Sequence, residues 1–405
     1  MKKTLIALAA LGAMAGAAHA QSTVTIYGLL DANFGSYKTN VATGGVVKSV
    51  TQTKIDSGGL NGSRWGIRVS EDIGGGMAII GNLESGVNID TGESGQGKLL
   101  FGRRANVGVS SGFGTVVIGR NSSSYDDVSG DHAMMEQTIF DPSNTNNGNS
   151  AAAAAALGTA AGNAAFLNRN TTWVGYNTRF NNSVKYTSPS FSGFSASVMY
   201  AFGEDKTVAV GAAPGISATK TVSANLKYAN GPLLVSGGYQ SEGVGGSTSV
   251  GGGAVAAAAG GATASTKPAL QNALLSVAYD FGVAKVGAGF NRAKYKDVIV
   301  PAGFFVAGAA AHELARQNEW NLSVAVPLGA TTLSAGYARS KGDDLGKSTG
   351  FGVQALYALS KRTTLYAGAQ STKAYDNLAT RTVAALPGSD IGRTTTYAAG
   401  IRHRF

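Results

Sequence analysis

Cysteine is absent from the 405 residues, proline is held to 8, and only 14% of residues are charged. Without cysteine there is no disulfide framework, no thiolate metal site and no cysteine nucleophile. A charged fraction far below the roughly 25% of soluble domains argues against an ordinary soluble enzyme. Long apolar runs are missing as well. No stretch beyond residue 20 offers the about eighteen strongly apolar residues of a membrane helix. The run from Ala151 to Ala165 comes nearest, but alanine is weakly apolar and Asn163 interrupts it. What is plentiful is glycine, 58 residues, about twice ordinary usage, together with alanine, serine, threonine and aromatics.

The first twenty residues read as an export signal. Lys2 and Lys3 form a positive end, Leu5 to Ala18 is apolar, and Ala18-His19-Ala20 is a small-x-small cleavage site. The expected mature chain starts at Gln21 and forms a single domain over 21–405. Cleavage removes two of the 33 basic residues, leaving 31 against 23 acidic ones and a net charge of +8. No basic block with interleaved aromatics accompanies that charge, so nucleic acid is not the expected partner.

Beyond Gln21 the hydropathy pattern has period two. Val24, Ile26, Leu30, Ala32 and Phe34 share one face, while Thr25, Tyr27, Asp31 and Asn33 share the other. Trp65, Ile67 and Val69 alternate with Arg64, Arg68 and Ser70 in the same way. The apolar faces are thin in Leu and Ile and rich in Ala, Gly and Tyr, which suits strands between lipid and water better than a sandwich core. Sixteen segments follow: 23–37, 63–72, 77–89, 99–110, 114–120, 181–188, 194–203, 219–229, 232–242, 269–280, 284–296, 316–326, 331–341, 349–359, 363–373 and 394–405. Short turns alternate with long connections at 38–62, 121–180, 243–268, 297–315 and 374–393. An even number of strands with loops sorted by length predicts an all-β, 16-stranded antiparallel transmembrane barrel. All 8 prolines fall in connections or at their borders, as a closed sheet without edges requires.

Six motifs then resemble a known family. They are Val24-Thr-Ile-Tyr-Gly-Leu-Leu-Asp31, Ser63-Arg-Trp-Gly-Ile-Arg-Val-Ser-Glu-Asp72, Phe101-Gly-Arg-Arg-Ala-Asn-Val-Gly108, Phe113-Gly-Thr-Val-Val-Ile-Gly-Arg120, Asn182-Ser-Val-Lys-Tyr-Thr-Ser-Pro189 and Gly400-Ile-Arg-His-Arg-Phe405. Together they are similar to the general porins of Gram-negative outer membranes, in the betaproteobacterial branch. The resemblance implies a homotrimer, passive diffusion of ions and small hydrophilic solutes, and a third external loop folded into the lumen. It also implies an arginine cluster on the wall facing acids of that loop. Arg64 and Arg179 match two wall positions, and Arg68 lies on the polar face. The third position stays open: the family pattern points to Arg103, whereas alternation puts Arg104 on the polar face with Asn106. Asp126, Asp127, Asp131 and Glu136 are the candidate loop carboxylates. Tyr397, Ile401 and Phe405 form an expected C-terminal assembly signal for the barrel-assembly machinery. Outer-membrane lipid and lipopolysaccharide are the expected surroundings.

Two stretches depart from the family: Pro142 to Asn170, Asn-rich then poly-Ala, and the low-complexity loop Gly243 to Thr266. Neither a cofactor nor a metal is expected, because His132, His312 and His403 lie far apart without ligand spacing. Gly108-Val-Ser-Ser-Gly112 spells a nucleophile elbow but ends a strand in a tight hairpin instead of opening a helix. The expected function is an anion-preferring diffusion channel. A surface barrel acting through its loops, as adhesin or structural protein, is the other reading.

Overall fold

A strand that is apolar on one face and polar on the other needs a different medium on each side, and a sheet in lipid must also leave no edge unpaired. Both conditions are met here by closure. The computed structural model describes residues 22–43, 46–143, 173, 176–203, 220–243, 269–296, 299–300, 310, 312–373, 375–376 and 393–405. The expected leader and nearly all of the insertion lie outside the described residues, as does the loop over 244–268.

The wall begins with β1 (Thr23–Thr43), followed by β2 (Val46–Ser57), β3 (Arg64–Gly74), β4 (Met77–Gly86), β5 (Arg104–Ser111) and β6 (Gly114–Ser122). After the longest connection come β7 (Arg179–Thr187), β8 (Phe194–Phe202), β9 (Lys220–Asn230), β10 (Leu233–Gly243), β11 (Ala269–Asp280) and β12 (Lys285–Lys296). Among the described residues, two short strands, β13 (Ile299–Val300) and β14 (His312–Glu313), pair only with each other. The last are β15 (Gln317–Leu328), β16 (Thr331–Gly342), β17 (Gly346–Ala358), β18 (Thr363–Lys373) and β19 (Arg393–Arg404).

Among the described residues, one sheet holds 17 strands. β1 pairs with β3 along Thr23–Leu29 on one edge and with β19 along Leu29–Lys38 on the other, which closes the barrel. β2 pairs with β1 alone, so sixteen strands form the wall, all antiparallel. At the junction, Gly28 and Phe405 exchange both backbone hydrogen bonds at 3.1 Å.

The sixteen expected segments are strands, with two corrections. Residues 99–103 are not part of β5, which starts at Arg104. A single helical turn at Gly95–Lys98, with Gln96 and Gly97 at positive φ, diverts the chain before it enters the sheet. The expected loop over 38–62 is largely strand. β1 runs on to Thr43 and β2 returns to Ser57, a hairpin that lies alongside the β1–β19 ladder over Ala32–Lys38 and passes its end over Thr39–Thr43.

The usual burial pattern is inverted. Exposed residues include Leu275, Leu322, Leu333 and Val198, whereas Asn33, Ser223, Gln240, Asn272 and Asn291 are buried. The outside is therefore an apolar band and the inside a polar lumen. Aromatics flank the band. Tyr279 lies 4.6 Å from Phe281, and Phe194 4.5 Å from Tyr228, near the short-turn end. Tyr200–Phe202 at 4.7 Å and Phe290–Trp320 at 4.3 Å lie toward the long-loop end. Such rings sit at headgroup level, one end apolar and one end wet. At the short-turn end, Gly75 and Gly76 take φ of +62° and +73° between β3 and β4, a conformation that side chains resist.

Candidate functional site

Period two places one row of side chains from adjacent strands side by side in the lumen. On β1, β3 and β4 that row holds Tyr27, Arg64, Arg68 and Glu84, because Tyr27 opposes Gly66 and Gly66 opposes Glu84. Glu84 is the hub. Its Oε1 accepts from Arg103 Nε at 2.7 Å, its Oε2 accepts from Tyr27 Oη at 2.8 Å, and Arg64 Nε stands 4.0 Å away. Arg68 stacks over the Tyr27 ring at 4.1 Å. Charge-assisted contacts of this kind hold guanidinium groups in fixed directions.

The geometry shows why sequence left the third arginine open. Arg103 precedes β5, so the alternation of the strand does not govern it, and its guanidinium reaches Glu84. Arg104 opposes Glu84 in the β4–β5 register and therefore shares its face. Both belong to the lumen side. Arg179 opens β7, donates to Thr178 Oγ1 at 3.1 Å, and lies in the field of Arg103, Asp126 and Glu84.

The chain after β6 does not leave the barrel. Residues 123–143 lie as a belt against the inner wall, touching successive strands. Ser124 Oγ and Ser197 Oγ of β8 are 2.7 Å apart, and Ser124 N donates to Ser223 Oγ of β9 at 2.9 Å. Tyr125 Oη donates to Asn291 Oδ1 of β12 at 2.9 Å, and Ser323 Oγ of β15 donates to His132 O at 3.0 Å. Gln370 Nε2 of β18 donates to Asp141 O. The belt's own backbone bonds are single turns, such as Asp131 N to Val128 O at 3.2 Å and Thr138 N to Met135 O at 3.2 Å. Its apolar residues join two buried clusters among the described residues: Tyr125 and Val128 with Trp173 and Leu274, and Ile139 and Phe140 with Leu60 and Tyr366.

A track of glycines lets the belt lie so close. A Cβ on Gly238 would meet Val128 and Tyr125, one on Gly289 the His132 ring, and one on Gly336 Met135. On Gly352 it would strike the Phe140 carbonyl oxygen, and on Gly368 the Phe140 ring. Part of the glycine excess is therefore a seat, made of strand positions where a side chain would occupy the belt's place.

The belt carries the candidate carboxylates, and two of them meet lysines from the wall. Asp127 Oδ2 pairs with Lys185 Nζ at 2.5 Å, and Asp131 Oδ2 with Lys227 Nζ at 2.9 Å. Asp126 accepts from Tyr176 Oη at 3.1 Å and feels Arg179. Burial raises the Asp126 carboxyl to about 6, against the opposing pull of Arg179. Burial also raises Asp141 to about 6, against two hydrogen bonds from Ser143. Glu136 is open to lumen water and accepts from Gln137 Nε2 at 3.2 Å. Enclosure by the wall, then the like charges of Asp126, Asp141 and Asp131, raise its carboxyl. His132 stacks on Trp173 at 5.3 Å, and burial lowers it to about 4, so it is neutral at pH 7.

Glu84, Lys185 and Lys227 escaped the sequence reading, although alternation places each on a polar face.

Comparison with known proteins agrees with this architecture. A family profile described as Gram-negative porin matches residues 7–377. The chain belongs to the Gram-negative porins. An outer membrane porin protein of Bordetella pertussis is 28% identical over 434 aligned residues, spanning 100% of both chains. Outer membrane porin protein 32 of Delftia acidovorans is 30% identical over 319 residues, 77% of this chain and 76% of its own. Among solved structures, an anion-selective porin from Comamonas acidovorans superposes with a TM-score of 0.67 at 24% identity, covering 95% of this chain and 100% of that one. This porin is thus a multi-pass barrel of the outer membrane, and its water-lined interior is a channel.

Proposed function

We propose that the belt and the β3–β5–β7 wall form the constriction of a diffusion channel that prefers anions, with Arg64, Arg103, Arg104 and Arg179 as its positive side. One observation carries the reading. Asp127 and Asp131 are spent on Lys185 and Lys227, so the belt leaves the wall arginines incompletely compensated. Arg68, further toward the short-turn end, extends the positive row. A diffusing anion meets fixed guanidinium groups where the water path is narrowest, and cations meet repulsion.

The test is the reversal potential of single channels in a KCl gradient. A unit charge ~8 Å from the ion path contributes about 0.5 kcal/mol even at the dielectric of water. Three such charges favour an anion and disfavour a cation by about 1.5 kcal/mol each, and screening at ordinary salt roughly halves both. Replacing Arg64, Arg103 and Arg179 together by Ser is therefore expected to lower the anion-to-cation permeability ratio by about ten-fold. The change should shrink as salt screens the site. An unchanged potential would remove these arginines from the filter.

Acidification tests the belt. The raised carboxyls of Asp126 and Asp141 are charged above about 6 and neutral below it. The stability they contribute is present below the ordinary carboxylate range and is lost as pH rises through about 6. Anion preference should accordingly rise between pH 7.5 and pH 5. Glu136, raised to about 7, loses its charge in the same window, so the joint replacement Asp126→Asn, Glu136→Gln and Asp141→Asn should hold the acid value at pH 7.5. A pH-independent ratio in the unsubstituted protein would show that these groups do not face the ion path.

The finer assignments follow the same reading. The mature chain over 21–405 assembles as a homotrimer, after export on a leader over 1–20 and recognition by the barrel-assembly machinery. Tyr397 and Ile401 face outward on β19, and Phe405 covers Gly28 at the seam, which suits a terminal signal that closes the sheet. Lipopolysaccharide is the expected neighbour in the outer leaflet. Family membership favours diffusion over an adhesin or structural role.

A further inference from the structure

At the long-loop end, the connection between β12 and β15 is fastened to the next one by a single histidine. β16 and β17 are joined by only three residues, Asp343, Asp344 and Leu345, with Gly342 opposing Gly346 at the root. A carboxylate in so short a turn is ordinarily solvated. Asp344 is instead only 5% exposed, and the chain over 312–315 is bonded to it. Gly342 leaves room for this approach, since a Cβ there would strike the carbonyl oxygen of Arg316.

The two oxygens of Asp344 hold two residues of that chain. Oδ1 stands 2.8 Å from His312 Nε2, and Oδ2 accepts from Ala315 N at 2.6 Å. The other ring nitrogen, His312 Nδ1, lies 2.9 Å from Ala310 O. Two residues beyond Ala315, Gln317 Nε2 donates to Gly346 O at 2.9 Å. Both nitrogens of His312 thus face oxygens that only accept. A neutral imidazole carries one N–H, so it satisfies one of them and turns a lone pair toward the other. The imidazolium satisfies both, and its charge meets the carboxylate. With 40% of its side chain exposed, His312 exchanges its proton with the medium. β13 opposes it with Val300 and brings no charge. The remaining charged groups on these segments are exposed: Glu313 on β14, Arg316 after Ala315, Asp343 in the turn, and Lys341 and Lys347 at its root.

We propose that His312 and Asp344 form a pH-sensitive clasp, closed when the imidazole is protonated, that ties the β12–β15 connection to the β16–β17 turn. The contact with the Ala310 carbonyl, then that with Asp344, raises the imidazole above its ordinary 6.5. A group raised in the folded state contributes stability that is complete below its ordinary value and is lost as pH rises through the raised one. The clasp is therefore closed in mildly acidic medium and opens as the medium turns alkaline. It is independent of the arginine row at the constriction.

The test follows the ring itself. Beyond residue 20 the histidines are His132, His312 and His403, so imidazole proton shifts of the folded protein in micelles separate them, with His312→Gln identifying the signal. His312 should titrate above 6.5 in the parent and move to lower pH in Asp344→Asn. Hydrogen exchange over 312–316, corrected for its intrinsic pH dependence, reads the clasp as motion. Protection should fall about three-fold between about pH 6 and pH 9, the range of an exposed ion pair. His312→Gln should show the alkaline protection at every pH. If Asp344→Asn fails to form the compact barrel, His312→Gln decides the matter through exchange. A midpoint at or below 6.5, or one indifferent to Asp344→Asn, would overturn the proposal. So would protection that changes with pH no more in the parent than in His312→Gln.

Discussion

Replacing Gly352 by valine is expected to lower single-channel conductance on the order of two-fold and to add flicker between levels. The reasoning begins with one missing carbon. A Cβ at residue 352 would collide with the carbonyl oxygen of Phe140, a backbone atom that cannot rotate aside. Phe140 is fully buried, and its ring already occupies the space over Gly368. Forced overpacking of this kind costs about 1–3 kcal/mol. The belt cannot escape the lumen to relieve it. Its start is tied at Ser124, where Asn225 Nδ2 donates to the carbonyl at 2.6 Å, and its far end at Ile139, whose amide donates to Gly59 O at 2.8 Å. Pinned at both ends, it can only bow toward the barrel axis by about the width of a side chain, where it narrows the water path. Gly237→Val is the matched control, because a Cβ there points to open space beside Leu274. Unaltered conductance in Gly352→Val would mean that the belt does not limit ion flow.

Why such a seat was invisible in the sequence is instructive. Alternation identifies which face of β17 looks inward, and so places Gly352 in the lumen beside Gln354. It carries no information about what rests there. A glycine in a strand reads as a thin wall until the path of residues 123–143 is known, and that path depends on contacts with strands up to 229 residues away, such as Gln370 with Asp141. The barrel itself was legible for the opposite reason. Each strand's two faces are set by its own residues, with Val24 and Ile26 outward and Tyr27 and Asp31 inward, and each tight turn is set by its own glycines. β2 is illegible in the sequence because its apolar residues Val46, Val47, Val50 and Ile55 fall on both faces of the strand and give no period-two signal. Arg103 was ambiguous because the alternation that would orient it stops one residue short, at Arg104. Glu84 could have been found by period two. The family resemblance implies acids in the loop and none on β4, so it carries no signal for this residue.

The replacement with the largest expected effect on stability is Asp31→Ala. Asp31 is fully buried on the lumen face of β1. Between β2 and β3 the chain turns inward over residues 58–63, and that turn is folded around this carboxylate. Gly59 N donates to Oδ1 at 3.0 Å, while Leu60 N and Asn61 N donate to Oδ2 at 2.9 and 2.8 Å. Tyr366 Oη, from the far side of the barrel seam, donates to Oδ1 at 2.5 Å. Ser63 Oγ bridges the backbone, accepting from Asp31 N at 2.9 Å and donating to Asp31 O at 3.0 Å. The turn so held presents Gly59 O to Ile139 N and packs Leu60 against Ile139, Phe140 and Tyr366. One carboxylate thus joins the first connection, the seam between β1 and β19, and the end of the belt. Alanine would strand three backbone donors and a phenol without acceptors, at about 1–3 kcal/mol for each that stays buried. A loss of about 3–5 kcal/mol follows, as for other buried charged networks broken from one side. Asp31→Asn keeps one acceptor oxygen and should fall between alanine and the parent. Tyr366→Phe removes a single donor and should cost about 1 kcal/mol. Heat-dependent loss of the compact barrel on a gel orders the three: alanine melts lowest, then asparagine, then phenylalanine. If Asp31→Ala melted no lower than Tyr366→Phe, the turn would be held by its own packing and the carboxylate would not be its anchor.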